Sequence, residues 1–199
     1  MIPGCILAGG NARRIGGKGK SFINLSGKPL ILHSIENIKN QVCSLSINVR
    51  NNENYDRYGL QIIFDDFKDE LDGSGPLAGI LAAINWARNL NLDSDYVATI
   101  PVDLPFIPKD FINRMLLEVN IYKPLVAVSS SNNRKHPTTA LWSLSLYSKL
   151  LEALNQGIRK IDHFTSDLDT IYVDWQYDTL DPFFNINTPE DLIFAEKVI

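Results

Sequence analysis

Five short apolar runs, Cys5–Ala8, Leu45–Val49, Gln61–Phe64, Tyr96–Ile100 and Leu125–Val128, alternate with stretches of helical periodicity, and this alternation leaves the chain few architectures. The helical stretches Leu30–Ile38, Leu77–Arg88 and Lys109–Val119 each follow a proline, at Pro29, Pro76 and Pro108. Proline fixes φ near the helical value and has no N–H to leave unpaired, so it suits a first helical turn. Strands separated by helices predict an α/β fold whose mostly parallel sheet is covered on both faces. Ligands of such sheets bind beyond the carboxyl ends of the strands, and Gly9, Asp65 and Asp103 all fall at such ends.

The later part of the chain is less regular. His136–Leu141 reads as a strand, Leu144–Leu154 as a helix behind a Ser143 cap, and Thr170–Val173 as another strand. Thr188 is an N-cap and Pro189 a first-turn residue, so Asn185 and Asn187 precede a helix start.

Directly after the first apolar run, residues 7–20 read Leu-Ala-Gly-Gly-Asn-Ala-Arg-Arg-Ile-Gly-Gly-Lys-Gly-Lys. Glycines reach left-handed dihedrals and carry no Cβ, so several backbone N–H groups can converge on phosphate oxygens. Arg14 adds a planar fork and Lys20 a mobile point charge, suited to different phosphates of one nucleoside triphosphate. Two better-known glycine loops are excluded. Gly19-Lys20-Ser21 resembles the end of a Walker A loop, but its first glycine would fall at Arg14. Neither Gly9-Gly10 nor Gly16-Gly17 gives the Gly-x-Gly-x-x-Gly spacing of a dinucleotide fold. The plain alternative is a solvated flexible loop.

Chain-wide properties narrow the class. The 199 residues fit one domain, and the formal charge of −4 argues against nucleic acid as a partner and makes the basic N-terminal residues a local anion site. Cys5 and Cys43 lack metal-type spacing, and Pro3 and Gly4 break the apolar start that a secretory leader needs, so the cytoplasm is the expected compartment. No apolar run approaches the roughly 18 residues of a membrane span.

Pro101-Val102-Asp103-Leu104-Pro105 sets one carboxylate at a strand end between two prolines. Magnesium takes one or two carboxylates together with phosphates and water, which suits Asp103 beside a triphosphate. Taken alone, Asp103 is equally a helix cap or turn former.

Several separated motifs, taken in order, resemble the molybdenum cofactor guanylyltransferases, within the Rossmann-like nucleotidyltransferases. They are Leu7-Ala8-Gly9-Gly10 with Arg14, Gly16, Gly17 and Lys20; Gly27-Lys28-Pro29-Leu30; Gly75-Pro76-Leu77-Ala78-Gly79; Asp103-Leu104-Pro105; His136-Pro137-Thr138; and Asn185-Ile186-Asn187-Thr188-Pro189-Glu190. The likeness spans nearly the whole chain and implies a single-domain three-layer α/β/α nucleotidyltransferase over 1–199. Within it, a nucleotide-binding half would cover about 1–105 and an acceptor-binding part about 106–199.

The resemblance implies transfer of GMP from GTP to molybdenum-loaded molybdopterin, with release of pyrophosphate. Leu7, Ala8, Gly9, Gly10, Lys20, Asn48, Asp65, Gly79 and Asp103 would bind GTP, with magnesium on Asp103. Arg14, Lys20 and Asp103 would carry the catalysis, and Asn185 and Asn187 would lie on the molybdopterin side. Transient contact with molybdopterin-delivering and molybdoenzyme-maturation proteins is also implied. Guanine presents N1–H and an amino group, which Asp65, Asn48 or backbone carbonyls can accept. The alternatives are a related transferase using CTP or a sugar phosphate, and a non-catalytic GTP-binding regulator.

Each assignment has a structural counterpart. Asn48 suits a strand-end turn, Asp65 a loop carboxylate, the Gly75–Gly79 segment close helix–sheet packing, and the two asparagines helix capping. His136 is expected to be structural rather than a general base. Trp86, Trp142 and Trp175 are expected to pack, and Arg134, Lys135, Arg159 and Lys160 to be mainly solvated. Gly19 departs from the family pattern, standing where an acidic residue usually precedes the lysine.

Overall fold

The computed structural model describes residues 1–9, 19–50, 54–65, 67 and 75–199. In chain order its strands are β1 (Gly4–Leu7), β2 (Asn24–Leu25), β3 (Lys28–Pro29), β4 (Leu45–Val49), β5 (Gln61–Phe64), β6 (Tyr96–Pro101), β7 (Val126–Ser131), β8 (Arg134–Ser143) and β9 (Thr170–Trp175). The α-helices are α1 (Leu30–Ile38), α2 (Gly75–Asn89), α3 (Phe111–Tyr122), α4 (Tyr147–Asn155), α5 (Ile161–Thr165) and α6 (Pro189–Val198).

The main sheet has seven strands in the order β5-β4-β1-β6-β8-β7-β9, and β2 and β3 form a separate short hairpin. The pairs β5–β4, β4–β1, β1–β6 and β7–β9 are parallel. Only β8 runs against its neighbours, inserted between β6 and β7. The sheet is therefore mostly parallel, as the alternation of elements requires.

Period-two alternation along the central strands divides the core in two. Ile6, Ile47, Ala98 and Ile100 face α1 and α3, where Ile31, Ile35, Phe111 and Met115 meet them. Cys5 and Val97 face the opposite side and pack with Leu77, Ile80 and Ile84 of α2 and with Leu150 and Leu154 of α4. Helices thus cover both faces, giving three layers. Trp142 lies in the second core and donates its indole N–H to Thr99 Oγ1 at 2.9 Å, while Trp175 belongs to the first core. Trp86 donates to Gln61 Oε1 at 2.8 Å. All three tryptophans pack, as expected.

Several boundaries differ from the sequence expectation. The third helix begins at Phe111 rather than Lys109, because residues 108–111 close a turn in which the Phe111 N–H donates to the Pro108 carbonyl at 3.1 Å. Phe111 is fully buried there, so core packing sets the helix start. The segment expected as a helix over Leu144–Leu154 opens as a 3-10 turn, Leu144–Leu146, before α4. Ser143 does cap it, accepting from the Ser145 N–H at 3.3 Å. Among the described residues no helix is long and apolar enough to cross a membrane.

Candidate active site

A cavity of about 330 Å³ opens at the carboxyl ends of β1, β4, β5 and β6. Following the sheet from β5 to β6, its wall presents Asp65, then Asn48, then Leu7 and Gly9, then Asp103. Three strand spacings separate the outer two, roughly 14 Å, enough to hold a base at one end and phosphates at the other.

At the β4 end, Asn48 is 2% exposed and donates its side-chain amide to Asp65 Oδ1 at 2.9 Å. A carboxylate can only accept, so this contact fixes which way the amide points. The Asn48 Oδ1 atom is consequently turned toward the two glycines. A Cβ added to Gly79 would stand 2.6 Å from that oxygen, and one added to Gly9 would stand 3.8 Å from it. Asn48 faces α2 because it alternates with Ile47, which is committed to the other core. Gly79 lets the helix pass over it. Gly75, at φ +62°, starts α2 in the left-handed region that favours glycine.

At the β6 end, Val102 and Leu104 are buried in the α1–α3 core, which turns the intervening Asp103 toward the cavity. Two side chains of α1 clamp this turn: Ser34 Oγ donates to the Val102 carbonyl at 3.1 Å and Asn37 Nδ2 to the Pro105 carbonyl at 2.7 Å. The Lys20 ammonium forms an ion pair with Asp103 Oδ2 and also donates to Asn187 Oδ1 at 2.6 Å and Asn185 Oδ1 at 3.2 Å. Both side chains of the ion pair are largely removed from solvent.

Each partner has its own support. Lys20 opens a 3-10 turn whose next residue, Ser21, is fully buried and accepts from the Tyr55 hydroxyl at 2.7 Å. The asparagine segment is pinned by the Ile186 N–H, which donates to the Asp103 carbonyl at 3.0 Å, and by Ile186 itself, buried with Ile23, Leu25 and Leu30. Thr188 and Asp191 form a capping box at the start of α6, and Asp191 Oδ2 also accepts from the Asn187 N–H at 2.8 Å.

Asp103 Oδ1 is buried and has no hydrogen-bond partner among the described residues. A lone carboxylate with an unsatisfied oxygen, beside amide oxygens, fits a hard divalent cation that completes its shell with phosphates and water. Among the described residues no cluster of three or more His, Cys, Asp or Glu side chains offers a competing metal site.

Of the residues singled out from sequence, Leu7, Gly9, Lys20, Asn48, Asp65, Gly79 and Asp103 share the cavity, while Asn185 and Asn187 reach it through Lys20. Ala8 does not line it: its methyl is buried in the α1–α3 core and its N–H donates to the Asn48 carbonyl at 2.8 Å. Gly10 and Arg14 lie outside the described residues. Among the described residues, a Cβ at Gly19 would meet Phe22, 3.9 Å away, an ordinary contact.

His136 stays out of the cavity. Its Nε2 shares a 2.6 Å hydrogen bond with Ser131 Oγ, its ring stacks on Phe183 at 4.9 Å, and burial holds its pKa below the ordinary value. Of the basic residues set aside as surface, Lys135 lies over the Tyr172 ring and Arg159 over Phe67. Arg50 also lines the cavity and carried no motif signal, while Pro101 and Thr138 line it from the 101–105 and 136–138 segments, in which neither carried an expected site role. The position of Arg50, two residues beyond Asn48 on the same strand end, was the available clue.

The MobA-like NTP transferase domain matches residues 4–170. A molybdenum cofactor guanylyltransferase from Rhodopseudomonas palustris is 36% identical over 98% of this chain and 93% of its own length. One from Shewanella piezotolerans is 36% identical over 95% and 89%. The crystal structure of molybdopterin-guanine dinucleotide biosynthesis protein A from Archaeoglobus fulgidus superposes with a TM-score of 0.78 at 26% identity, covering 99% of this chain and 98% of that one. With the strand-end cavity in hand, these likenesses mean that the chain belongs to the MobA-like nucleotidyltransferases, alongside the molybdenum cofactor guanylyltransferases.

Proposed function

We propose that the chain transfers GMP from GTP to molybdenum-loaded molybdopterin, forming the guanine dinucleotide cofactor and pyrophosphate. The observation that carries the choice of base is the fixed Asn48–Asp65 pair, which presents oxygens at the β4 end of the cavity. Guanine's N1–H and amino group are adjacent donors and match an acceptor-rich wall. Cytosine has no such pair of ring and exocyclic donors. Leu7 and Gly9 would border the nucleotide between base and phosphates, and Gly79 leaves room for close approach.

At the other end, an oxygen of the acceptor's phosphate forms a bond to the α-phosphorus of GTP. The bond from that phosphorus to the bridging oxygen breaks, and its electron pair leaves with pyrophosphate. The attacking phosphate is already ionised near neutral pH, so the chain has to position and neutralise rather than deprotonate. Lys20, with Arg14 from the glycine-rich loop, would hold the departing phosphates. Asp103 would hold magnesium, which would supply positive charge to phosphate oxygens. Asn185 and Asn187 would lie on the molybdopterin side, on the acceptor-binding part of the chain, about 106–199. The reading includes transient contact with proteins that deliver molybdopterin and receive the product, in the cytoplasm.

The test is pyrophosphate release with magnesium and molybdenum-loaded molybdopterin, comparing GTP, CTP and ATP. GTP-selective release is expected. Preference for CTP would move the chain to a cytidylyl transfer, and nucleotide binding without release would make it a regulator.

A further inference from the structure

Lys20 poses a question that nucleotide transfer does not answer. A lysine ammonium has three N–H donors, and here they face three oxygens: Asp103 Oδ2, Asn185 Oδ1 and Asn187 Oδ1. Committed in this way, the ammonium has no donor left for a phosphate. The oxygens come from positions 83, 165 and 167 residues from Lys20, and converge on one point.

We propose that Asp103, Asn185 and Asn187 form one cation site with two alternative occupants, the Lys20 ammonium and a divalent metal ion, so that metal entry releases Lys20 toward the nucleotide. The proposal rests on the reading of the cavity as a metal-dependent nucleotidyltransferase site. It extends that reading by giving the two asparagine oxygens a cation to bind and by making the lysine and metal mutually exclusive there.

Four observations support exchange. One carboxylate and two amide carbonyls are hard oxygen donors of the kind that magnesium and manganese take together with water and phosphate. Asp103 is 7% exposed and, among the described residues, its buried Oδ1 has no partner, so the lysine engages one carboxylate oxygen of the two. The oxygen set is held independently of Lys20: the Ile186 N–H ties the asparagine segment to the Asp103 carbonyl, and the capping box fixes Asn187 and Thr188. It would therefore persist when the ammonium leaves. Lys20, by contrast, is free to move only at its end: its backbone turn is anchored by Ser21 and Tyr55, while its four-carbon stem rotates. Two cations within this cluster would repel each other, which makes the occupants alternatives.

Manganese binding to the full chain without nucleotide or pterin, followed by electron paramagnetic resonance, tests this. Lys20→Met removes the competing cation and is expected to bind Mn²⁺ at least tenfold more tightly than the wild type. Adding Asn187→Leu or Asp103→Asn to Lys20→Met should reverse that gain. Equal or weaker binding by Lys20→Met would overturn the proposal, as would a gain that survives loss of Asp103. A second measurement uses the wild type and does not depend on the variant folding. Acetylation of the Lys20 amine, read by peptide mass spectrometry, should rise severalfold when Mn²⁺ is added. Unchanged Lys20 labelling at saturating Mn²⁺ would overturn the proposal. Neither readout involves the base or the acceptor, so failure here is distinguishable from failure of the guanylyl-transfer reading.

Discussion

The Asn48 amide nitrogen and an Asp65 carboxylate oxygen lie 2.9 Å apart, and this contact fixes the direction in which the Asn48 carbonyl oxygen points. The pair links the end of β4 to the residue following β5, 17 positions along the chain. It converts an amide that offers either donor or acceptor into a fixed acceptor at the cavity wall.

Asp65→Ala removes both the carboxylate and the constraint on Asn48. Hydrogen bonds to charged groups contribute about 1.5–3 kcal/mol, so kcat/KM for GTP should fall roughly tenfold to a hundredfold or more. CTP turnover should change less. The ratio of kcat/KM values for the two nucleotides checks this.

Gly79→Ala places a methyl 2.6 Å from Asn48 Oδ1 on a helix that cannot easily withdraw. Overpacking of this kind costs about 1–3 kcal/mol. Thermal denaturation should show the lower stability, and calorimetry should show weaker GTP binding than in the wild type.

Lys20→Ala and Asp103→Ala each remove one member of the charge pair at the phosphate end. By analogy with loss of one transition-state charge partner, turnover should fall by about 3–4 kcal/mol. Single-turnover pyrophosphate release at saturating GTP separates this from weaker binding. Full turnover by either variant would remove that residue from the mechanism.

Burial lowers the pKa of His136 from its ordinary 6.5, more than the nearby Asp181 and Asp174 raise it, and Arg134 adds to the lowering. Between the folded-state pKa and 6.5 the unfolded chain binds the proton and the folded chain does not, so stability rises with pH across that window. Above 6.5 this contribution is fully present and flat; it is lost as pH falls through the window. His136→Gln should flatten that part of the stability profile in urea denaturation measured from pH 5 to 8.

Local signals were legible in the sequence because their causes are local. Leu30–Ile38 is a helix with those bounds, and Thr188 caps α6 ahead of Pro189, as the residue types indicate. The strand ends that bear Gly9, Asp65 and Asp103 do border one cavity, since parallel order brings carboxyl ends together. The start of α3 was not legible, because burial of Phe111 overrides the preceding proline. Nor was the antiparallel insertion of β8, a choice made by tertiary pairing rather than by its own residues. Resemblance supplied Asn48 and Asp65 as names, but their bond required the register of β4 on β5. The convergence of Asn185 and Asn187 on Lys20 depends on Ile186, and on Ala195 of α6, packing with Ile23, Leu25 and Leu30 around the short hairpin. Arg50 lacked any motif, and Thr138 sat in the His-Pro-Thr segment without a role; both became visible as parts of the wall.

Formation of a guanine dinucleotide at this cavity is read by identifying the pterin product. The wild type and Asp103→Ala should each be incubated with GTP, magnesium and molybdenum-loaded molybdopterin, and the pterin products resolved by mass spectrometry. Molybdopterin guanine dinucleotide is expected from the wild type, with strongly reduced formation by the variant. Unmodified molybdopterin from the folded wild type, or equal product from both proteins, would rule out guanylyl transfer at Asp103.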